Sequence, residues 1–235
     1  MLASRPMPAE PPPYPRIPHL PPGTGASRDD RVLSPGDARP FFVEEVTVEE
    51  KLDGASVALW LDDRGSVAAG TRGGVDAIDR AGQRGPLRAW AARRADQLRG
   101  LLADGWALYG EWLWFTHALA YERLPDWLIA LDLCHPAHGF ATHDARAQRV
   151  RTAGLCLPPE IDRGILGSAG SLSPLTRRSG FTDGPLEGVV VRRLTATPGN
   201  LRVAKALAPG FAAADDAGWR SPARNALAAG PTPTA

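Results

Sequence analysis

The amino-acid sequence predicts an α+β fold that consists mainly of antiparallel sheets with flanking helices. Apolar runs of strand length recur from residue 41 onward, whereas only two segments space their apolar residues as a helix does. With 235 residues, the chain is long enough for one sizeable core and too short for two full domains with linkers. We therefore expect a single layered domain in which sheets form the body.

The first 40 residues differ in composition from the rest, because they contain 11 of the 23 prolines. Proline removes a backbone donor and breaks helices and central strands, so residues 1–40 are expected to form an extended or partly disordered leader. The domain itself is expected over residues 41–211. Beyond it, the Ala, Gly, Pro and Asp content of residues 212–235 predicts a disordered tail.

Seven segments predict strands, either by partial alternation or as short apolar runs. In chain order they are FFVEEVTVEE from Phe41, ASVALWL (55–61), SVAAGT (66–71), WALYGEW (106–112), WLIALDL (127–133), LEGVVVRR (186–193) and NLRVAKAL (200–207). Apolar residues from Leu87 to Leu102 have helical spacing, with Pro86 in a plausible first turn and Gly105 as a stop. The segment DARAQRVRTAG (144–154) predicts a second, shorter helix.

Composition narrows the class of protein. The net charge of +1 gives no general support for nucleic-acid binding, so any phosphate-binding surface must be local. No apolar run approaches the roughly 20 residues that a membrane span needs, and the N-terminus lacks the apolar core of a secretory signal. The two cysteines, Cys134 and Cys156, show no metal-ligand spacing. These features predict a reduced, cytoplasmic protein without a membrane partner.

Charged residues stand at strand positions in four separate places. Lys51 begins the sequence Lys-Leu-Asp-Gly between two predicted strands, which alone is typical of a hairpin turn with a solvated lysine. Glu111, Glu187 and Lys205 each lie within or at the end of an otherwise apolar run. Buried charges are costly unless they are paired or used, so four of them indicate convergence on one pocket.

The order of these segments resembles a known family. KLDG, YGEW, WLIALDL, EGVVV and RVAK are similar to motifs I, III, IIIa, IV and V of the covalent nucleotidyltransferases, which include ATP-dependent RNA ligases, DNA ligases and mRNA capping enzymes. YPRIPHLP (14–21), DDRVL (29–33) and EWLW (111–114) resemble small bacterial and phage RNA ligases. The resemblance spans residues 14–211 and implies an ATP-grasp-like ligase adenylation domain of the RNA ligase family.

The resemblance also implies roles for individual residues. Lys51 would attack the α-phosphorus of ATP and carry AMP, and Lys205 would stabilise the charge on that phosphate. Glu111 would accept hydrogen bonds from the ribose, and Glu187 would help to place Mg²⁺ or Mn²⁺. The implied nucleotide-binding set is Glu50, through its main chain, Asp53, Gly54, Arg72 of motif Ia, Glu111, Trp127, Glu187 and Lys205. Trp127 is included because Leu131 stands where an aromatic residue would stack on adenine.

Two departures from the family pattern bear on function. Val203 replaces the first of two motif V lysines, which predicts weaker phosphate binding or a lower rate. Only 30 residues follow Lys205, too few for the OB-fold domain of DNA ligases and capping enzymes.

The implied function is RNA repair, in which 5′-phosphate and 3′-hydroxyl ends or nicks of RNA are sealed, with a partner protein aiding substrate engagement. Three alternatives stay open: a DNA ligase without its OB domain, a nucleotide- or RNA-binding module that does not ligate, and, more distantly, a capping guanylyltransferase.

Overall fold

The fold is an assembly of two antiparallel sheets with short helices around them. The computed structural model describes residues 10–23, 26, 30–71, 82–194, 199, 202–211 and 223–229. The strands are β1 (Val46–Lys51), β2 (Ala55–Leu61), β3 (Val67–Thr71), β4 (Ala107–Trp112), β5 (Leu128–His135), β6 (Gly139–Phe140), β7 (Glu160–Gly164), β8 (Gly188–Arg193) and β9 (Val203–Leu207). The first sheet has the order β7-β1-β8-β9 and the second the order β3-β2-β4-β5-β6.

The helices lie between and outside these strands. They are α1 (Pro35–Ala38), α2 (Pro40–Val43), α3 (Arg84–Arg93), α4 (Ala95–Leu102) and α5 (His143–Thr152), with 3₁₀ segments at Ala103–Gly105 and Ala169–Thr176. The short helix predicted over 144–154 corresponds to α5. In the described part of the chain, no helix combines the length and the apolar character needed to cross a bilayer.

The longer predicted helix is interrupted at Arg94. The backbone there has φ −115° and ψ 19°, and the helix axis restarts at Ala95 as α4. The guanidinium of Arg94 lies 2.7 Å from the carboxylate of buried Asp126 and stacks over the ring of Trp90. The break in the predicted helix therefore coincides with a contact from a distant loop, which periodicity does not encode.

Alternation along β1 decides which side chains enter the core and which face the space between the sheets. Val46 and Val48 are fully buried in the apolar cluster of the first sheet. Successive side chains of a strand point to opposite faces, so Thr47, Glu49 and Lys51 share the other face. A separate apolar cluster joins α3 and α4 to the second sheet.

The leader is docked on this framework where the structure describes it. Lys205 N donates to Pro18 O at 2.8 Å and Leu20 N donates to Lys205 O at 2.8 Å, so the leader runs beside the edge strand β9. Tyr14 and Leu20 are buried. Proline-rich backbone suits this position at the edge of the sheet. The outer N–H groups of an edge segment have no sheet partner, so the N–H groups that proline lacks are not missed there.

Part of the predicted disordered tail is ordered. Residues 223–229 lie against the loop that follows β4, with bridges from Arg224 to Phe115 and from Leu227 to Leu124. Asn225 is buried. The expectation of disorder over 212–235 is therefore wrong for 223–229, because composition alone does not reveal backbone pairing with a distant loop.

Candidate functional site

A cleft of about 900 Å³ lies between the two sheets. Lys51 and Lys205 line it from the first sheet, Glu111 lines it from the second, and Tyr14 and Asp30 line it from the leader. The four charged positions that the sequence singled out therefore lie at one place, since Glu187 directly contacts Lys51. The convergence predicted from isolated charges in apolar strands is what the fold brings about.

Lys51 ends β1 opposite Gly188, the first residue of β8. Its ammonium forms a hydrogen-bonded ion pair with Oε1 of Glu187. Burial raises the pKa of the Glu187 carboxyl, although the neighbouring Lys51 opposes that rise. A lysine nitrogen thus faces the cleft in contact with a carboxylate that holds a proton more readily than an exposed one does.

Asp53 holds the loop after Lys51 in place. Its Oδ2 accepts hydrogen bonds from Ala118 N at 2.6 Å and Leu119 N at 2.9 Å, and its own N–H donates to the hydroxyl of Tyr121 at 2.8 Å. Asp53 therefore acts by fixing the loop, and its side chain is directed at protein backbone.

Gly54 allows the chain to pass closely over β4. A Cβ atom there would lie 2.6 Å from Leu113 Cδ2 and 2.7 Å from Trp112 O, distances that no other residue tolerates. Its N–H donates to Glu111 Oε1 at 3.0 Å. Gly54 therefore ties the loop after Lys51 to the carboxylate expected to bind ribose.

Glu111 is a carboxyl group in a poorly solvated position. Burial raises its pKa to about 7, with Glu187 adding to the rise and Lys51 opposing it. It lies on β4 opposite Ser56, and both residues line the cleft. At neutral pH the group is poised between its charged and neutral forms, so it can accept and also donate hydrogen bonds.

The side chain of Glu50 points away from Lys51 and organises a second loop. Its carboxylate accepts from Ser179 Oγ at 2.5 Å and from Gly180 N at 2.7 Å, and burial raises its pKa. Its N–H donates to Pro159 O at 2.9 Å. The N–H of Glu50 is thus already used within the fold.

Lys205 lies on β9 opposite Val190 of β8, on the cleft face. Its ammonium lies 3.0 Å from Asp30 Oδ1. Val203, which replaces the first motif V lysine, is buried and lies opposite Arg192. A cation is therefore present beside Val203, but it comes from the neighbouring strand.

A buried ion network lies at the floor of the cleft. Arg192 binds Asp132 at 2.7 Å, and Glu49 pairs with Arg146 and with Arg192. Tyr14 donates its hydroxyl to Asp132 at 2.5 Å. Burial alone would raise the pKa of Glu49, but the two guanidinium groups outweigh it and lower that pKa.

Sequence reasoning did not identify this network as a unit. The signal was partly visible, because Glu49 and Asp132 are acids within apolar strands, as Glu111 and Glu187 are. Their partner Arg146 lies on α5, in a segment whose apolar spacing is too weak to indicate that one face is buried.

Trp127 does not line the cleft in the described part of the chain. Trp127 is partly buried and packs edge-on against Trp114, with ring centroids 4.8 Å apart, beside the apolar core. Leu131 lines the cleft, and the stacking role of Trp127 stays a prediction. Arg72 lies outside the described residues.

The residues present fit a divalent metal in one respect. Glu187 Oε2 is buried and has no hydrogen-bond partner among the described residues, which leaves an acceptor available. Within the same residues, no group of three or more His, Cys, Asp and Glu side chains surrounds a common point. A metal at this place would therefore take most of its ligands from water and phosphate, which is typical of Mg²⁺.

Comparison with known proteins identifies a family. A family model described as RNA ligase matches residues 44–207. No curated protein matches the chain in sequence.

Solved structures share the fold. An archaeal ATP-dependent RNA ligase is 18% identical to this chain, with a TM-score of 0.56. The match covers 83% of this chain and 48% of the archaeal ligase. A lysine-to-alanine variant of the Naegleria gruberi RNA ligase, solved with ATP and Mn, is 18% identical with a TM-score of 0.54, covering 74% and 52%. The same ligase with PPi is 18% identical with a TM-score of 0.52, covering 86% and 62%. The chain thus spans about half the length of these proteins, and the likeness confirms the predicted α+β nucleotidyltransferase fold.

Proposed function

Because the chain belongs to the RNA ligase family, we propose that it is an ATP-dependent RNA ligase that carries AMP on Lys51 and seals RNA ends. One observation carries the proposal: the nitrogen of Lys51 lies at the cleft in contact with Glu187, while Glu111 and Lys205 line the same cleft. A lysine, two carboxyl groups and a second lysine around one cavity are the groups that nucleotidyl transfer to an amine requires.

The first step needs Lys51 as a neutral amine. A lysine in water has a pKa of about 10.4, so a proton must leave before attack. The carboxylate of Glu187 contacts that nitrogen and accepts the proton. The Lys51 nitrogen then forms a bond to the α-phosphorus of ATP, and the bond from that phosphorus to the pyrophosphate oxygen breaks. Lys205 stabilises the charge on the α-phosphate, and Glu111 holds the ribose.

A divalent cation, Mg²⁺ or Mn²⁺, would polarise the phosphate oxygens and neutralise part of their charge. The free Oε2 of Glu187 would hold it, either directly or through a bound water.

Two transfers complete the reaction. An oxygen of the 5′-phosphate of RNA attacks the phosphorus of lysyl-AMP, and the Lys51 nitrogen leaves. The 3′-hydroxyl oxygen of the second RNA end then attacks that 5′-phosphorus, and AMP departs as the phosphodiester forms. The proposed substrates are RNA ends or nicks, a partner protein that aids RNA engagement is part of the proposal, and the proposed role is RNA repair. Cys134 and Cys156 are free thiols, which supports a reduced cytoplasmic setting.

The intact mass of the protein tests the first step. We expect the mass to increase by one AMP on incubation with ATP and Mg²⁺, and Lys51→Ala to show no increase. Arg224→Ala, on the surface away from the cleft, is the matched control and should gain AMP normally. A folded wild type that never gains AMP, and does not already carry it, would contradict the proposal.

Two comparisons then resolve the substrate. Adduct formation with GTP in place of ATP would indicate a capping enzyme. Sealing of all-DNA nicks but not RNA-containing nicks would indicate a DNA ligase. ATP binding without a covalent adduct would leave a nucleotide-binding module.

A further inference from the structure

The segment 223–229 forms a brace across the loop between β4 and β5. Thr116 N donates to Ala223 O at 2.8 Å, Leu124 N donates to Ala226 O at 3.0 Å, and Ala228 N donates to Leu124 O at 2.8 Å. The RNA ligase family model ends at residue 207, so this brace is a feature of the chain outside the matched region.

Asn225 is the centre of the brace. Its Nδ2 donates to Leu113 O at 2.9 Å and to Phe115 O at 3.0 Å, while its Oδ1 accepts from Thr116 Oγ1 at 3.1 Å and from Tyr121 N at 2.8 Å. The side chain is buried, so water does not compete for these four bonds. A buried amide with every bond satisfied fixes the backbone around it in one arrangement.

The brace bonds to both the N–H and the carbonyl of Tyr121. Its N–H donates to Asn225 and its carbonyl accepts from Ala226 N at 2.8 Å. Its hydroxyl, at the other end of the side chain, accepts from Asp53 N at 2.8 Å. Tyr121 is fully buried, so its ring transmits position from the tail to the loop after Lys51.

The loop between β4 and β5 also bonds to the side chain of Asp53. Ala118 N and Leu119 N both donate to Asp53 Oδ2, at 2.6 and 2.9 Å. Asp53 lies two residues after Lys51, and its neighbour Gly54 is bonded to Glu111. The position of the nucleophile relative to the ribose carboxylate therefore depends on a loop that Asn225 holds.

We propose that Asn225 is a positioning residue for nucleotidyl transfer, acting through Tyr121 and Asp53 on the orientation of Lys51. The inference rests on the proposed function of Lys51. A displacement of about 1 Å at a reacting atom can lower a rate on the order of a hundredfold, so loss of the brace should act on the chemical step. The contacts that bind ATP, at Glu111 and Lys205, are not made by the brace and should change little.

The test is the rate of lysyl-AMP formation in Asn225→Ala, measured over a range of ATP concentrations. We expect the rate at saturating ATP to fall by at least about tenfold, with the KM for ATP within about threefold of the wild type. Arg224→Ala, which removes the neighbouring side chain stacked over Trp114, is the matched control and should react as the wild type does. Leu98→Val, on the buried face of α4, controls for lost stability. Asn225→Ala reacting at the wild-type rate, or Leu98→Val slowing equally at equal loss of Tm, would overturn the inference.

A double-mutant cycle tests the route. Tyr121→Phe removes the hydroxyl that holds Asp53 N. If Asn225 acts through Tyr121, the double variant should be slower by less than the product of the two single effects. A full product would show that Asn225 acts elsewhere.

Hydrogen exchange separates this inference from the proposed function, because it needs no reaction. In Asn225→Ala, amides of residues 52–54 and 118–119 should exchange faster than in the wild type, while those of β8 keep their rates. Unchanged exchange at 52–54 would refute the positional link even if the protein gains AMP. Faster exchange at these amides in Asn225→Ala, together with a wild type that gains no AMP, would refute the ligase proposal and retain the link.

Discussion

The ammonium of Lys205 lies 3.0 Å from Oδ1 of Asp30, so a carboxylate of the leader pairs with the lysine that faces the cleft from β9. Asp30 also approaches His19 Nε2 at 3.4 Å, and burial, together with Lys205, lowers the pKa of His19. A carboxylate at this place repels phosphate and engages the cation that phosphate would bind.

Asp30→Asn is therefore expected to lower the KM for ATP in lysyl-AMP formation. Loss of one partly exposed charge interaction is worth about 1 kcal/mol, which corresponds to about fivefold. Asp37→Asn, which changes an acid in the first turn of α1 within the same leader, should leave the KM unchanged. A KM that rises in Asp30→Asn would show that the carboxylate positions Lys205 for phosphate rather than competing with it.

Glu187→Gln should slow lysyl-AMP formation by about a hundredfold or more, because it removes the proton acceptor in contact with Lys51. The metal requirement should also shift to higher Mg²⁺, since an amide oxygen binds the ion less strongly than a carboxylate. Single-turnover rates across a Mg²⁺ titration measure both effects. Glu160→Gln, on the exposed face of β7, is the control, and an unchanged titration curve would remove Glu187 from the metal site.

Glu111 should make stability depend on pH. Its pKa is about 7 in the fold, against 4.5 as the ordinary value, so between these values the folded chain binds more protons than the unfolded chain. The free energy of unfolding should therefore fall as pH rises from 4.5 to 7, by at most about 1.4 kcal/mol per pH unit from this group. Glu50 and Glu187, whose pKa values burial also raises, add slope of the same sign.

Glu111→Gln should flatten this dependence without abolishing it, as urea unfolding at about pH 5 and about pH 8 would measure. Glu122→Gln, at an exposed carboxyl in the following loop, should keep the wild-type slope. If both variants show the same slope, the poised carboxyl is not Glu111.

Tyr14→Phe tests the docking of the leader on the floor of the cleft. The Tyr14 hydroxyl bonds to the buried carboxylate of Asp132, and burial raises the pKa of Tyr14, so the hydroxyl remains a donor. Loss of a hydrogen bond to a charged group should lower the free energy of unfolding by about 2 kcal/mol. Tyr109→Phe removes a bond to the neutral carbonyl of Pro12 and should cost about 1 kcal/mol. Equal losses of unfolding free energy in the two variants would show that the bond from Tyr14 to Asp132 contributes no more than a bond to a neutral carbonyl.

Much of the fold could be predicted because strand periodicity is a local property. The motif strands lie close to their predicted bounds, and Lys51, Glu111, Glu187 and Lys205 meet because a charge in an apolar strand requires a shared polar environment. Their individual roles remain predictions.

What the sequence missed depends on contacts between distant segments. Asp126 contacts Arg94 at the break in the predicted helix, and Asn225 orders part of the tail through bonds to residues more than a hundred positions away. Proximity to motif IIIa favours a place for Trp127 at the cleft, but its ring packs against Trp114 at the apolar core. No periodicity encodes such pairings.

The brace formed by 223–229 also has a consequence for synthesis on the ribosome. The loop after Lys51 contacts β4 and the loop that follows it, which emerge early. The arrangement of the loop after β4 depends on Asn225, which emerges after β9. We expect a nascent chain in which β9 has left the exit tunnel but Asn225 has not to have both sheets and a loosely held Lys51, so that reactivity toward ATP arises late. Covalent labelling of stalled chains of increasing length would show whether reactivity rises sharply once Asn225 has left the exit tunnel.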